Sequence, residues 1–414
     1  MLLIYTLAYL GVFATSFYII NLFVYYKTKK IPQNSAKFKV SIIIPAYNEE
    51  KGIQETIKSA LSLDYPKNKL EIIVIDDGSK DKTYKLAKQF ASKSHPKIKV
   101  ITKKNGGKGT ALNKGIRCAT GEIIVSMDAD TIVSPMALQK MVGFFENPEV
   151  MSVAPGMGVY QPRTIWQRIQ QIEYLMGVFL RKSFASMNAI HITPGAFSAY
   201  RKSFFDKYGG YDEGNITEDL EIALRIQSKN FIIENAPEAS VYTHSPETFR
   251  KLLVQRRRWY TGLTKNFWDY RSLFGLKKGS LGIVVLPTAV TTIVLGVAAT
   301  IYSTLRFLLE VRKDLSSLNA INFQFADRLE VNKYALQTFI MQMATSKIFL
   351  LTILFILLLA LYMKFARNRM LYKDNIRINF ILFITFFSVL FAFWWISSAI
   401  YMLFNRKVVW REEK

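Results

Sequence analysis

The chain has 414 residues, 50% of them hydrophobic and 14% aromatic, and 55 Lys and Arg against 31 Asp and Glu leave it at +24. So much apolar material excludes a disordered chain, and a single cysteine, Cys118, excludes a disulfide-stapled one. High charge beside high hydrophobicity implies segregation, and basic residues then serve either nucleic acid or the flanks of membrane spans.

The apolar runs favour the membrane. Residues 1–26 carry no charge, and Lys27, Lys29 and Lys30 follow them. About 20 apolar residues cross a bilayer. A signal peptide would need a basic start and a small-residue cleavage site, which this run lacks. An uncleaved anchor is expected, with its N-terminus outside and the next domain in the cytosol.

From residue 27 to about 280, short β-branched runs alternate with helical patterns. This predicts an α/β domain around a mostly parallel sheet. Strands are expected over Val40–Pro45, Glu71–Ile75, Lys97–Thr102 and Glu122–Met127, and helices over Ile53–Leu61 and Thr83–Ala91. Two later stretches carry apolar residues rimmed by Lys and Arg. In the first, Ile165, Ile169, Ile172, Met176 and Phe179 recur at helical spacing; the second is Phe249–Trp268. Each suits either a helix in the headgroup plane or an amphipathic helix packed on the sheet. Arg256 and Arg257 are assigned to headgroups.

Three more spans are read at Leu281–Leu305, Tyr334–Met363 and Phe380–Phe404. The basic linker Lys364–Arg377 then falls in the cytosol. The tail with Arg406, Lys407 and Arg411 falls outside, against the charge rule, unless one segment is re-entrant or interfacial. The resulting divisions are residues 1–26 (anchor), 27–248 (catalytic), 249–279 (amphipathic) and 280–414 (about three spans).

Chemistry concentrates at strand ends. Asp128-Ala129-Asp130 follows the apolar run Ile123-Ile124-Val125, and two carboxylates so placed suit a hard divalent cation. Alone, the triplet is ordinary turn chemistry. Upstream, Tyr47-Asn48-Glu49 ends the first strand and Asp76-Asp77-Gly78-Ser79 the second. Ligands of open α/β sheets sit beyond such ends, so one site is expected. Asn105-Gly106-Gly107-Lys108-Gly109 adds a lysine-bearing loop; it is not a Walker loop, because residue 102 is Thr102 where the first glycine would stand.

Asp76-Asp77-Gly78, Asp128-Ala129-Asp130, Thr217-Glu218-Asp219 and Gln255-Arg256-Arg257-Arg258-Trp259 occur in that order. With them the sequence resembles the membrane-embedded family 2 glycosyltransferases, the group of cellulose, chitin, hyaluronan and poly-N-acetylglucosamine synthases. The resemblance covers Lys27 to about Phe274. It implies a Rossmann-like GT-A domain joined to transmembrane helices. On that likeness Asp77, with Asp76, reads the uracil of a UDP-sugar, Tyr47 stacks on the base beside Glu49, and Lys108 faces the diphosphate. Asp128 and Asp130 hold Mg²⁺ or Mn²⁺. Asp219 is the general base, tuned by Glu218, and a single base implies one displacement with inversion. Gln255, Arg258 and Trp259 match the signature of processive synthases, on the acceptor and diphosphate side. Thr193-Pro194-Gly195-Ala196 loosely matches an acceptor-side loop.

Other residues carry less. Thr217 before acidic residues also reads as a helix N-cap. His95 and His191 have no constellation, His244 suits a structural role, Cys118 a buried filler, and the Asn215-Ile216-Thr217 sequon is silent in the cytosol. The expected function is inverting, metal-dependent transfer from a UDP-sugar, N-acetylglucosamine or glucose, to a growing β-linked polysaccharide exported across the plasma membrane. The expected partners are the UDP-sugar, the glycan acceptor and the bilayer, with no nucleic acid. Cellulose synthases carry more spans, so a homo-oligomer or an export partner completes a channel here. The alternatives are a single-sugar transferase acting on a polyprenyl-phosphate acceptor and a non-catalytic membrane scaffold.

Overall fold

Residues 2–28, 32, 35–320, 333–370 and 375–404 are described by a computed structural model. The first half alternates strictly: α1 (Leu2–Thr28), β1 (Val40–Ala46), α2 (Ile53–Leu61), β2 (Leu70–Asp76), α3 (Thr83–Lys88), β3 (Lys97–Thr102), α4 (Lys108–Cys118) and β4 (Ile123–Ser126). There follow β5 (Thr131–Val133), α5 (Ala137–Val142), β6 (Val150–Val159), α6 (Ile165–Ser186), β7 (Ser198–Arg201), α7 (Lys202–Tyr208), α8 (Glu218–Ser228), β8 (Ile232–Thr243) and α9 (Phe249–Asp269). The chain continues through α10 (Leu286–Ala320), α11 (Lys333–Thr345), α12 (Lys347–Met370) and α13 (Arg377–Leu403).

The strands form one sheet of order β3-β2-β1-β4-β7-β6-β8-β5. β1 and β2 are buried at every position, as a parallel sheet covered on both faces requires. β3, β2, β1 and β4 are parallel, whereas β7 runs antiparallel to β4 and β6, and β5 antiparallel to β8. The sheet is therefore mixed, and its irregular half lies beyond the last strand that alternation revealed. Helices α2, α3 and α5 cover one face and α4, α7 and α8 the other, each over its own apolar core.

Four helices among the described residues are long and apolar enough to cross a membrane: Leu2–Lys27, Leu281–Lys313, Lys347–Met370 and Arg377–Leu403. The expected span Tyr334–Met363 is corrected, because α11 and α12 are separate helices. Ser346 breaks the run: its hydroxyl accepts from the Phe349 N–H and starts α12, an N-cap role. Lys29 and Lys30, part of the 364–377 linker, and the tail with Arg406, Lys407 and Arg411 lie outside the described residues.

Both amphipathic stretches became packed helices. α6 starts with a capping box of Thr164 and Gln167. One side of it meets β6 and β8, and the other buries Ile169, Ile172, Leu175 and Phe179 against α1, α12 and α13. The Phe179 ring stacks on Tyr362 at 3.6 Å. α9 is joined to α6 and α13 rather than to headgroups alone. Arg256 corrects the sequence reading outright: it is 1% exposed and makes a two-pronged ion pair with Glu173 of α6. A buried guanidinium needs such a fork, since an unpaired one is costly to desolvate.

Candidate active site

Parallel strands β2, β1 and β4 deliver their carboxyl ends to one edge of the sheet, and the acidic residues sit there. Asp76 and Asp77 are almost fully buried. One Asp76 oxygen accepts from Thr102 Oγ1 at 2.8 Å and the other from the Ser79 N–H at 3.3 Å. Asp77 accepts from the Gly106 and Gly107 N–H groups at 3.1 and 2.8 Å and from Lys103. The two aspartates thus shape the turn and fold the glycine loop over the strand ends. Lys103 and Thr102 carry no motif, and sequence reasoning missed both. Tyr47 follows β1 directly and is partly exposed; the Glu49 carbonyl accepts the first N–H groups of α2.

Lys108, the first residue of α4, is the hub. Its ammonium lies 2.7 Å from Asp128 Oδ1 and 2.9 Å from Glu218 Oε1. Burial opposes its charge, but Asp128, Glu218 and Asp219 outweigh burial and hold it above the ordinary lysine value. The sequence placed Lys108 beside the diphosphate; the geometry places it between the strand-end carboxylates and the Thr217–Asp219 segment, spanning both halves of the site.

Asp219 lies in the first turn of α8. The Gly195 N–H donates to Oδ2 at 3.3 Å and the Leu220 N–H to Oδ1 at 2.9 Å, while Thr193 Oγ1 donates to its backbone carbonyl at 2.9 Å. The Thr193–Ala196 turn, only loosely matched in sequence, is therefore the seat of this carboxylate. Tyr200 fixes the turn by donating to Thr193 Oγ1. A Cβ at Gly195 would stand 2.6 Å from Lys108 Nζ and 3.3 Å from Asp128 Oδ2, so a larger residue there would displace the Lys108 ammonium from its place. Burial, then Glu218, push the Asp219 carboxyl up to about 6 against the pull of Lys108 and Arg258.

Thr217 occupies the N-cap position, but its hydroxyl makes no cap bond. It accepts from Asn266 of α9 at 2.9 Å instead. Gly262 of α9 lies against Thr217, where a Cβ would fall 2.2 Å from Oγ1. This close approach brings α9 against the Thr217–Asp219 segment, with Arg258 near enough to act on Asp219. Gln255 Oε1 is buried with no hydrogen-bond partner among the described residues.

Asp130 accepts from Thr243 Oγ1 at 3.3 Å. His244 lies beside it, edge-on to Tyr160. Asp128 and Asp130 supply hard oxygen donors, and the Asp128 side chain is 32% exposed. Among the described residues no group of three His, Cys, Asp or Glu side chains surrounds a metal position. Such a set fits a divalent cation that takes its other ligands from phosphate and water. His191 is buried among Phe184 and Phe267, where burial pushes its ring down to about 4, so it is a packing residue.

A mixed sheet with acidic groups at its parallel strand ends, and a half-buried carboxylate facing them, is a GT-A glycosyltransferase fold. Residues 41–209 match the family described as Glycosyl transferase family 2, so the chain carries a family 2 glycosyltransferase domain. It is 34% identical over 253 residues to a poly-beta-1,6-N-acetyl-D-glucosamine synthase of Staphylococcus epidermidis, covering 59% of this chain and 60% of that protein. The probable glycosyltransferase YdaM of Bacillus subtilis is 34% identical over 230 residues, covering 54% and 55%. The chain thus spans less than two thirds of these relatives' length. In structure it is similar to the mannosyltransferase PcManGT of Pyrobaculum calidifontis, solved with GDP-Man and Mn²⁺. That likeness has a TM-score of 0.53 at 22% identity and covers 89% of this chain and 100% of that one; it bears on the fold alone.

Proposed function

We propose that the chain transfers N-acetylglucosamine from UDP-N-acetylglucosamine to the hydroxyl of a growing β-linked polysaccharide, with inversion, from the cytosolic face of a membrane it crosses several times. One observation carries this reading: Asp219 is half-buried, raised towards neutrality and linked through Lys108 to Asp128, joining a proton acceptor to a phosphate-facing edge. The donor sugar follows the printed names of the Staphylococcus relatives.

Asp77, with Asp76, forms the floor for the uracil, and Tyr47 covers it beside Glu49. Asp128 and Asp130 would hold Mg²⁺ or Mn²⁺, which when bound neutralises charge developing on the departing diphosphate. Lys108 offers a second positive charge to that diphosphate. Asp219 takes the proton of the acceptor hydroxyl as its oxygen attacks the anomeric carbon. Its two backbone donors keep the carboxylate aimed, and Glu218 stays paired with Lys108 and sets the local field. With one base and no second carboxylate as nucleophile, the anomeric configuration inverts. Gln255, Arg258 and Trp259 face the acceptor and diphosphate, the indole giving the terminal sugar an apolar platform.

The test is purified full-length protein given UDP-N-acetylglucosamine, UDP-glucose, UDP-glucuronate or GDP-mannose, with nucleotide release and product length measured. A ladder of long products from the first donor, lost in chelator, is expected. Turnover undiminished in chelator removes the metal, and a single added sugar on a polyprenyl phosphate replaces the polymerase with a single-transfer enzyme.

A further inference from the structure

Trp259 has a supporting frame in the α6–α9–α13 layer. The Arg256 guanidinium lies 4.4 Å from the Trp259 ring centroid and 5.2 Å from that of Trp394 on α13, between two indoles. Glu173 of α6 holds the guanidinium with two bonds of 2.7 Å. Trp394 is fully buried and Arg256 nearly so, whereas Trp259 is only partly buried. Next to this frame, Tyr260 stacks on Trp395 at 4.4 Å, and Phe249 meets Phe393 at 5.7 Å. Three helices from distant parts of the chain therefore converge on one guanidinium beneath one indole.

A fork-and-stack of this kind fixes orientation more than it adds stability. A bidentate Arg–carboxylate pair defines the guanidinium plane, and a planar cation over an indole defines the ring lying against it. A buried ion pair can often be exchanged for apolar residues with little loss of stability, so stability alone does not account for it.

We propose that Glu173, Arg256 and Trp394 are positioning residues that set the ring plane of Trp259, and thereby hold the glycan terminus in register between additions. This rests on the acceptor role given to Trp259 above. Through Glu173 and Trp394 the platform is tied to α6 and α13, so these helices, and not α9 alone, define where the terminus sits.

The test uses full-length purified protein and the paired substitution Glu173→Leu with Arg256→Met, which removes the clamp without stranding a buried charge. Its unfolding temperature and donor KM are expected to stay near wild type. Acceptor KM is expected to rise about two- to thirtyfold, the range from an exposed to a desolvated cation–π contact, with shorter products and little change in kcat at saturating acceptor. Arg256→Lys keeps the charge but loses fork and plane, and is expected to behave like the pair. Trp394→Phe, which alters no charge, is expected to shift acceptor KM in the same direction by less, and it decides the matter if the paired variant does not fold. A folded paired variant with wild-type acceptor KM and product length overturns the proposal, as does an Arg256→Lys protein indistinguishable from wild type. Fluorine NMR of fluorotryptophan-labelled protein, with the Trp259 line assigned by Trp259→Phe, reads the ring without any turnover. The line should move in the paired variant, and an unmoved line overturns the clamp. Wild-type protein that transfers no sugar would instead bring down the functional reading, leaving the fluorine result to judge the clamp.

Discussion

The two sides of the site are built differently. On the side proposed for the nucleotide, Asp76 and Asp77 are satisfied by neighbouring strand ends and the glycine loop, through Ser79, Thr102, Lys103, Gly106 and Gly107. On the side proposed for the acceptor, Glu218, Asp219, Glu173 and Arg256 are buried or half-buried charges balanced against partners from remote segments, and Lys108 bridges the two sides. Hydrogen bonds in turns preform a shape; mutually balanced charges poise a reactivity. Loss of a turn bond should therefore be mild, and loss of a charge severe.

The sharpest test of that contrast is Asp219→Asn. It keeps the shape of the side chain but removes the proton acceptor, so transfer should fall by about 10²–10⁴ while UDP-sugar still binds in calorimetry. Survival of more than about a tenth of the rate, far above that range, would take the base away from Asp219. A pH profile probes the same charge more gently. A general base works ionised, and the Asp219 carboxyl is pushed up to about 6, so with Asp219 in that role the rate should climb with pH through about 6 and level off above. An ordinary aspartate would place that limb near about 4. The limb should vanish from whatever rate the Asn variant retains.

Trp259→Ala should act less on rate than on length. Removing the indole platform weakens acceptor engagement by about 0.5–1.5 kcal/mol beyond lost area, so products shorten while donor affinity holds. Well-folded variant protein making polymer of unchanged length would contradict the platform. The smallest effect on rate belongs to the nucleotide side. Thr102→Val removes one bond to Asp76, which keeps its Ser79 contact, and should cost about 1.5–3 kcal/mol of stability in denaturant titration with little loss of rate. A loss of activity as deep as that of Asp219→Asn would erase the distinction between the two sides.

The same division explains what the sequence disclosed. β3 and α2 were read to the residue, because periodicity and bounding turns are local signals. Asp76, Asp77 and Asp128 were likewise legible as acidic residues at strand ends. The β6–β8 half was not read, since its antiparallel partners and its bulge between Pro155 and Gly156 follow no single period. Arg256 sits in a basic run that looks like a headgroup face, and only the distant Glu173 reveals it as interior. The seat of Asp219 depends on Thr193 and Gly195, more than 20 residues upstream, which no spacing rule connects to it.

Lys182 of α6 carries a consequence for anyone wishing to isolate the catalytic portion. Its ammonium is 1% exposed, bonded to the Asn235 carbonyl at 2.8 Å and to Tyr25 of α1 at 3.1 Å, with the Tyr25 ring centroid 4.5 Å away. On the same side Tyr18 and Leu22 of α1 cover the apolar face of α6. A cut after residue 27 looks natural on hydropathy grounds, yet it would uncap a buried cation and bare the hydrophobic flank of α6. Such a fragment should aggregate on expression, as size-exclusion chromatography would reveal, whereas adding the α1 peptide back in trans should return it to a monodisperse peak. The α/β unit and helix α1 share one packed interface, although hydropathy divides them cleanly.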